Sequence, residues 1–448
     1  MKKINSAFAY ICVLLLLTAP FLRGSNLSFK EGVVIRDAEV EDILRLFADP
    51  IFKAAGLNPA DVKLFLLADS TVNALAAPGP MIFVNTGLII KCERVEEVIA
   101  VLAHETGHVV RKHLIGRLEA FQNATMPYLL SMGIGAIISI LTGTPDGLML
   151  GSALGQQVGT RSFLTFSRTQ EMQADLVSQS VLSKLRWPLD GSITLFERMQ
   201  RFSTQPSAKA IYTQTHPAMN ERIEMARKNL DPSFVLPPLF SQNFERLKIK
   251  ILAHMLPPGD VFKDSFIQKS SFRDYAYLIA LHRQGLIEKA SNLLHKMLKK
   301  TPQDPYLYEI ATHIYLEQGK KLEAQKAINH IFDLQTRPHI SFYILKARLL
   351  IKEQHAKEEV RTLLQHAILS EPSNPEPWYW LSILAGEENR PAALYYLAEY
   401  NVRIGRMQEA RKQVKIAKKN LPQTDPLYIH LADLELLLED QKKRMQTL

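Results

Sequence analysis

Apolar positions recur at helical spacing between residues 38 and 56, at Val40, Ile43, Leu44, Leu46 and Phe47, which predicts an amphipathic helix. The pattern then shortens. VKLFLLAD (62–69), STVNALAAPG (70–79) and PMIFVNTGLI (80–89) are apolar runs broken by Asp69, Pro78, Gly79 and Gly87, and they read as strands of a small sheet. A long apolar helix is expected from about Val95 to Leu114. Residues 126–143, MPYLLSMGIGAIISILTG, are uncharged, but Ser131, Gly133, Gly135 and Ser139 dilute the stretch; a buried helix or an interfacial hairpin is favoured over a true membrane span. Helical pattern returns over 167–202, with Phe166, Met172, Val177, Val181 and Leu182 as its apolar positions, and 203–222 reads as loop or strand.

A proline-rich stretch follows (Pro232, Pro237, Pro238, Pro257, Pro258), with a helix expected around Phe244–Met255. Beyond Phe272 the pattern is helix after helix. Gly285 and Ala290 are followed 34 residues later by Gly319 and Ala324, and Gly405 and Ala410 repeat the spacing. Gly permits a tight turn between paired helices, Ala a close approach, and the prolines near each repeat end stop the second helix. A 34-residue helical period of this kind resembles tetratricopeptide repeats, which stack into a solenoid with a concave binding face.

The chain has 448 residues, is 47% hydrophobic and carries a formal charge of +9. Two domains are expected at this length. The basic balance comes without a zinc ribbon, an RNA-binding signature or a dense Lys/Arg block, so solvated helix faces explain it better than nucleic acid. Lys2 and Lys3 followed by the apolar run Ala7–Leu17 read as an export signal over 1–25, with small residues at Gly24 and Ser25. With Cys12 removed in that segment, Cys92 stands alone, and no intrachain disulfide is expected.

The candidate chemistry lies in VLAHETGHVV, 101–110. Residues four apart on a helix share a face, so His104 and His108 can bind one Zn²⁺. Glu105 is placed to take a proton from water at the metal rather than to ligate. Gly107 leaves room for a neighbouring element. A third ligand is required, and EMQAD supplies Glu171, with Asp175 one turn later and able to accept from the far nitrogen of a ligating histidine. His113, five residues past His108, is expected to turn away from the zinc face and not to ligate. Arg168 and Arg222 are expected in ion pairs, near the site or purely structural.

HETGH (104–108), SRTQEMQAD (167–175) and THPAMNERI (215–223) resemble the motifs of HtpX-like and CAAX-prenyl-protease-like zinc metallopeptidases. With the export signal and the repeats, the chain is similar to BepA-like periplasmic peptidases. The resemblance implies zinc ligands His104, His108 and Glu171, a general base and later proton donor at Glu105, and Asp175 behind the ligands. It also implies that His216 either caps the metal as a fourth ligand or aids the developing oxyanion. NALAAPGPMIFV (73–84) resembles the family's edge strand, so Asn73, Ala74, Leu75 and Ala76 would receive a substrate strand with little sequence preference. The expected fold is an α+β zincin-type peptidase domain over 26–230, a linker over 231–270 and an all-α tetratricopeptide-repeat solenoid over 271–448. The expected function is periplasmic, Zn²⁺-dependent endoproteolysis in envelope-protein quality control, with one Zn²⁺ per chain. The repeats would recruit unfolded or misassembled substrates or the outer-membrane barrel-assembly complex, 126–143 could touch a membrane peripherally, and no nucleic acid is involved. A non-proteolytic chaperone or adaptor and a membrane-embedded processing protease are the alternatives; the intact Glu105 argues against the former.

Overall fold

The computed structural model describes residues 33–77, 79–113, 166–203, 216, 219–231, 233–351, 353–386 and 389–446. The expected export signal and the 126–143 segment lie outside them. The described residues group into two compact units, one within Ile249–His330 and one within Lys30–Lys248 and Ile331–Leu448.

In the second unit, β1 (Val34–Ile35) leads into α1 (Ala38–Ala54), whose N-cap Asp37 accepts from the Val40 amide at 3.0 Å. Strands β2 (Lys63–Leu67), β3 (Ala74–Ala77) and β4 (Met81–Asn85) complete a four-stranded sheet of order β1-β2-β4-β3. β4 runs parallel to β2 and antiparallel to β3, with Ala76 opposite Ile82. β3 is therefore an edge strand among the described residues. The expected third strand stops at Asn85, because Thr86–Lys91 forms a short helix, α2; Leu88 and Ile89 are buried without continuing the ladder.

α3 (Val95–Val110) is buried on every side from Val95 to His108, apart from Glu96. A helix apolar all round has no solvent face to keep wet, and α1, β3, α4 (Arg168–Leu185) and α5 (Asp190–Ser203) pack around it. The 167–202 run is thus two helices, separated at Arg186–Leu189, where Arg186 takes a left-handed conformation. α6 (Met219–Lys228) begins inside the stretch expected to be loop or strand, and α7 spans Pro238–Met255. Among the described residues no helix is long and apolar enough to cross a membrane. Cys92 is a buried free thiol.

The C-terminal sequence is helical. Arg273–Arg283 pairs with Ile287–Lys300, and Pro305–Glu317 precedes Lys321–Leu334. In the other unit Ile340–Leu350 pairs with Lys357–Ser370, Glu376–Ala385 with Arg390–Arg403, and Met407–Lys419 with Pro426–Gln446. Gly285, Gly319 and Gly405 have φ of 71°, 72° and 79°, a turn conformation that a side chain would strain. Ala290, Ala324 and Ala410 are fully buried.

Candidate metal centre

Two helices build the site. α4 starts with a capping box in which Ser167 Oγ accepts from the Gln170 amide and Gln170 Oε1 accepts from the Ser167 amide. This fixes the first turn, where Glu171 sits and where the helix dipole favours its ionised form. α4 crosses α3 at Gly107: a Cβ there would lie 2.5 Å from the Ala174 carbonyl oxygen. The missing side chain lets the helices approach until Glu171 and Asp175 reach the α3 histidines.

His104, His108, Glu171 and His216 are all buried, and one donor atom of each lies within 4.8 Å of the others. His104 Nε2 is 3.0 Å from His108 Nε2 and 3.3 Å from His216 Nδ1. Glu171 Oε1 is 3.0 Å from His216 Nδ1 and 3.4 Å from His108 Nε2, and its Oε2 is 3.4 Å from His104 Nε2. A tetrahedral Zn²⁺ with ligand bonds of about 2.0–2.1 Å spaces its ligand atoms about 3.3 Å apart. The donor set, its burial and its spacing therefore fit that ion.

The outer nitrogens are engaged elsewhere. His104 Nδ1 donates to Asp175 Oδ1 at 2.8 Å. Arg222, from α6, donates through Nε to Asp175 Oδ2 (2.6 Å) and through Nη2 to Asp175 Oδ1 (2.8 Å), and its Nη1 lies 2.8 Å from Glu171 Oε2. Its guanidinium covers the Phe196 ring at 4.5 Å. Of the two arginines left open by the sequence, Arg222 is in the site, whereas Arg168 makes an exposed contact to Glu221 at 3.7 Å.

Glu105 is fully buried, and its Oε2 accepts the Ala76 amide of β3 at 2.7 Å. Its Oε1 has no hydrogen-bond partner among the described residues and lies 3.6 Å from His216 Nε2. Burial pushes the Glu105 carboxyl above its ordinary value, against the pull of His216 and His104. A raised carboxylate with one oxygen anchored and one aimed into the cluster suits proton transfer. Glu171, although buried, is held far below the usual carboxylate range by His216 and His104, which keeps it anionic. Asp175 stands at about 2: burial raises it, and Arg222 with His104 more than reverses that.

Two residues escaped the sequence reading. Phe166 stacks on His108 with centroids 3.7 Å apart and packs against Ala76 and Val109. His113 is not among the clustered donors, but it lies behind His108, 2.9 Å away, Nδ1 to Nδ1, a contact the sequence reading did not foresee. Of the proposed edge residues, Ala74–Ala76 lie in β3 with Asn73 just before it, and all four are buried.

Residues 35–230 match the family described as Peptidase family M48. The beta-barrel assembly-enhancing protease of Escherichia coli (strain K12) is 22% identical over 385 residues, 79% of this chain and 77% of that protein. Its Yersinia pestis counterpart is 21% identical over 383 residues, with the same coverage of each chain. The mitochondrial metalloendopeptidase OMA1 of Schizosaccharomyces pombe is 29% identical over 173 residues, 39% of this chain and 48% of that one.

Proposed function

Since the chain is a metalloendopeptidase of peptidase family M48 through residues 35–230, we propose that it hydrolyses misassembled envelope proteins in the periplasm with one Zn²⁺. His104, His108 and Glu171 would hold the ion. The single observation that carries this reading is the convergence of buried imidazole and carboxylate donors at 3.0–3.4 Å separations.

Zinc, when bound, supplies positive charge that polarises a carbonyl and acidifies water. The protein does the rest. The Ala76 amide fixes Glu105 so that its second oxygen accepts the proton of the attacking water and returns it to the leaving amine. Asp175 and Arg222 fix the plane of His104. A substrate strand adds along β3, where main-chain hydrogen bonds give affinity without strong sequence preference. His216, with Nδ1 among the ligand atoms and Nε2 toward Glu105, acts as a fourth donor that keeps the resting site closed. The helix pairs with left-handed Gly285, Gly319 and Gly405 support a tetratricopeptide-type array as the recruiting domain. The name of the enterobacterial relatives supports barrel-assembly intermediates as substrates.

Casein degradation by zinc-loaded protein tests the proposal. Glu105→Gln should lower the rate by about 100-fold or more; equal rates would reject Glu105 as the base. His216→Ala should raise basal degradation with zinc retained. A fall with zinc retained would assign His216 to the transition state instead.

A further inference from the structure

We infer that His113 and Gln173 are positioning residues that set the tautomer of His108 and so present its Nε2 lone pair to the metal. The inference rests on the zinc reading above.

The geometry begins where α3 ends. Arg111 caps the helix and Lys112 takes φ of 56°. The His113 amide then donates to the His108 carbonyl (3.2 Å) and the Lys112 amide to the Val109 carbonyl (3.1 Å). This paired closure is the Schellman arrangement, formed here without glycine. It folds the chain back so that the His113 ring meets the His108 ring, their Nδ1 atoms 2.9 Å apart. His113 Nε2 lies 2.9 Å from Gln173 Oε1. Gln173 is in reach because it neighbours Ala174, the residue against which Gly107 packs. Phe166, stacked on His108, fixes the ring plane.

With His108 Nε2 kept as a lone pair, the hydrogens run in one direction. A neutral imidazole carries one N–H. For His108 Nε2 to face the cluster as a lone pair, its proton must be on Nδ1. His113 Nδ1 must then accept, which puts the His113 proton on Nε2, where Gln173 Oε1 accepts it. With Oε1 toward His113 Nε2, Gln173 closes the chain with an acceptor. Reversing the last partner would reverse the whole chain and put a proton on His108 Nε2, where the metal should be. Ligating histidines ordinarily rely on a single carboxylate, carbonyl or water for this purpose; here an uncharged imidazole and amide do it.

The test is zinc affinity, measured by competition with a chromogenic chelator on the purified full chain. Gln173 is exposed, so its variants should fold. Gln173→Glu should bind zinc as tightly as the unsubstituted protein or more so. Gln173→Leu should bind several-fold more weakly, and Gln173→Lys, which offers a donor, more weakly still. Met172→Lys, at the exposed neighbouring position, controls for added charge and should have the smaller effect. His113→Leu should lose about 10- to 100-fold, with His113→Asn, which keeps an acceptor, recovering part. A flat Gln173 series, or Gln173→Lys no weaker than Met172→Lys, overturns the inference even if His113→Leu fails to fold. Should the unsubstituted chain bind no zinc, the proposed function fails with it; one tightly bound zinc and a flat series defeat the tautomer chain alone.

Discussion

His104 and His108 stand one turn apart on α3 and face the same cluster, yet they are held from behind by opposite chemistries. Behind His104 is an anion, Asp175, itself clamped by the Arg222 guanidinium. Behind His108 is an uncharged imidazole and then an amide. The electrostatic consequence is large. Burial and Arg222 press the His104 imidazolium down, but Glu171 and Asp175 outweigh them, and its pKa stands at about 9. His108 is pushed well below the ordinary value, by burial first and by the charges of His104 and His216. Two imidazoles on one helix face thus differ in basicity: Glu171 and Asp175, both on α4, raise His104, whereas burial and the charges of His104 and His216 lower His108. The neutral chain orients one ligand without adding another charge to a site that already contains Glu105, Glu171 and Asp175.

The largest effect should come from breaking the ionic half. Arg222→Met leaves Asp175 and Glu171 buried without their cation, and losing one partner of a buried pair costs about 3–5 kcal/mol. Chemical denaturation of the metal-free protein measures it. Arg222→Lys should recover only part, because a point charge cannot span two carboxylates as the guanidinium does. Unchanged stability in Arg222→Met would show that charge compensation is not what Arg222 contributes. Next in size is Asp175→Asn, which keeps shape but offers His104 an amide in place of an anion. Zinc affinity should fall about 10- to 100-fold, with a smaller loss of stability because Arg222 still contacts Glu171. If His113→Leu and Asp175→Asn weakened zinc equally but only Asp175→Asn shifted the denaturation midpoint, the contrast between an ionic and a neutral support would be sharpened.

That contrast was half legible in the sequence. The ionic half follows from periodicity: HExxH and ExxxD each put two groups on one helical face, and a regular helix carries the pattern forward. Gly107 signalled the close crossing. The neutral half depends on where a helix stops. Extending α3 past Val110 points His113 away; the chain instead turns at Lys112 through a left-handed conformation that glycine would announce and lysine does not. A histidine just beyond the helix end, in the position that returns to the last turn, was the available signal. Arg222 was ambiguous for a related reason: spacing within α6 says nothing about which carboxylates α4 brings to it. The sheet was read one helix too long, because Gly87–Ile89 are as apolar and as buried as β4, and so short a run has no periodicity to tell helix from strand. The glycine turns of the helix pairs were legible, since each needs its positive φ for a reason internal to the pair.

The smallest effect sharpens the comparison from outside the site. His339, Glu41 and Arg36 form a second imidazole–carboxylate–guanidinium set: His339 Nε2 lies 3.2 Å from Glu41 Oε2, and Arg36 Nε donates to Glu41 Oε1 at 2.8 Å. It resembles His104–Asp175–Arg222 in composition, but the other His339 nitrogen lies at its own helix start, 3.1 Å from Ser341 Oγ, which accepts from Nδ1 when the ring is protonated. This imidazole has no metal to face and is left to titrate. Burial and Arg36 lower its pKa, while Glu41 and Asp42 raise it further, so the net shift is upward. A raised folded-state value means that the stabilisation is fully present below the unfolded histidine value of about 6.5 and is lost as pH rises through the folded one. His339→Gln should therefore cost about 1 kcal/mol near pH 6 and progressively less toward pH 9, read as the difference in denaturation midpoint from the unsubstituted protein. A difference that stays constant across that range would mean that the contact acts through shape and not through charge. Composition alone would then be a poor guide to what such a set contributes, and the ionic reading of the His104 side would rest on Arg222→Met alone.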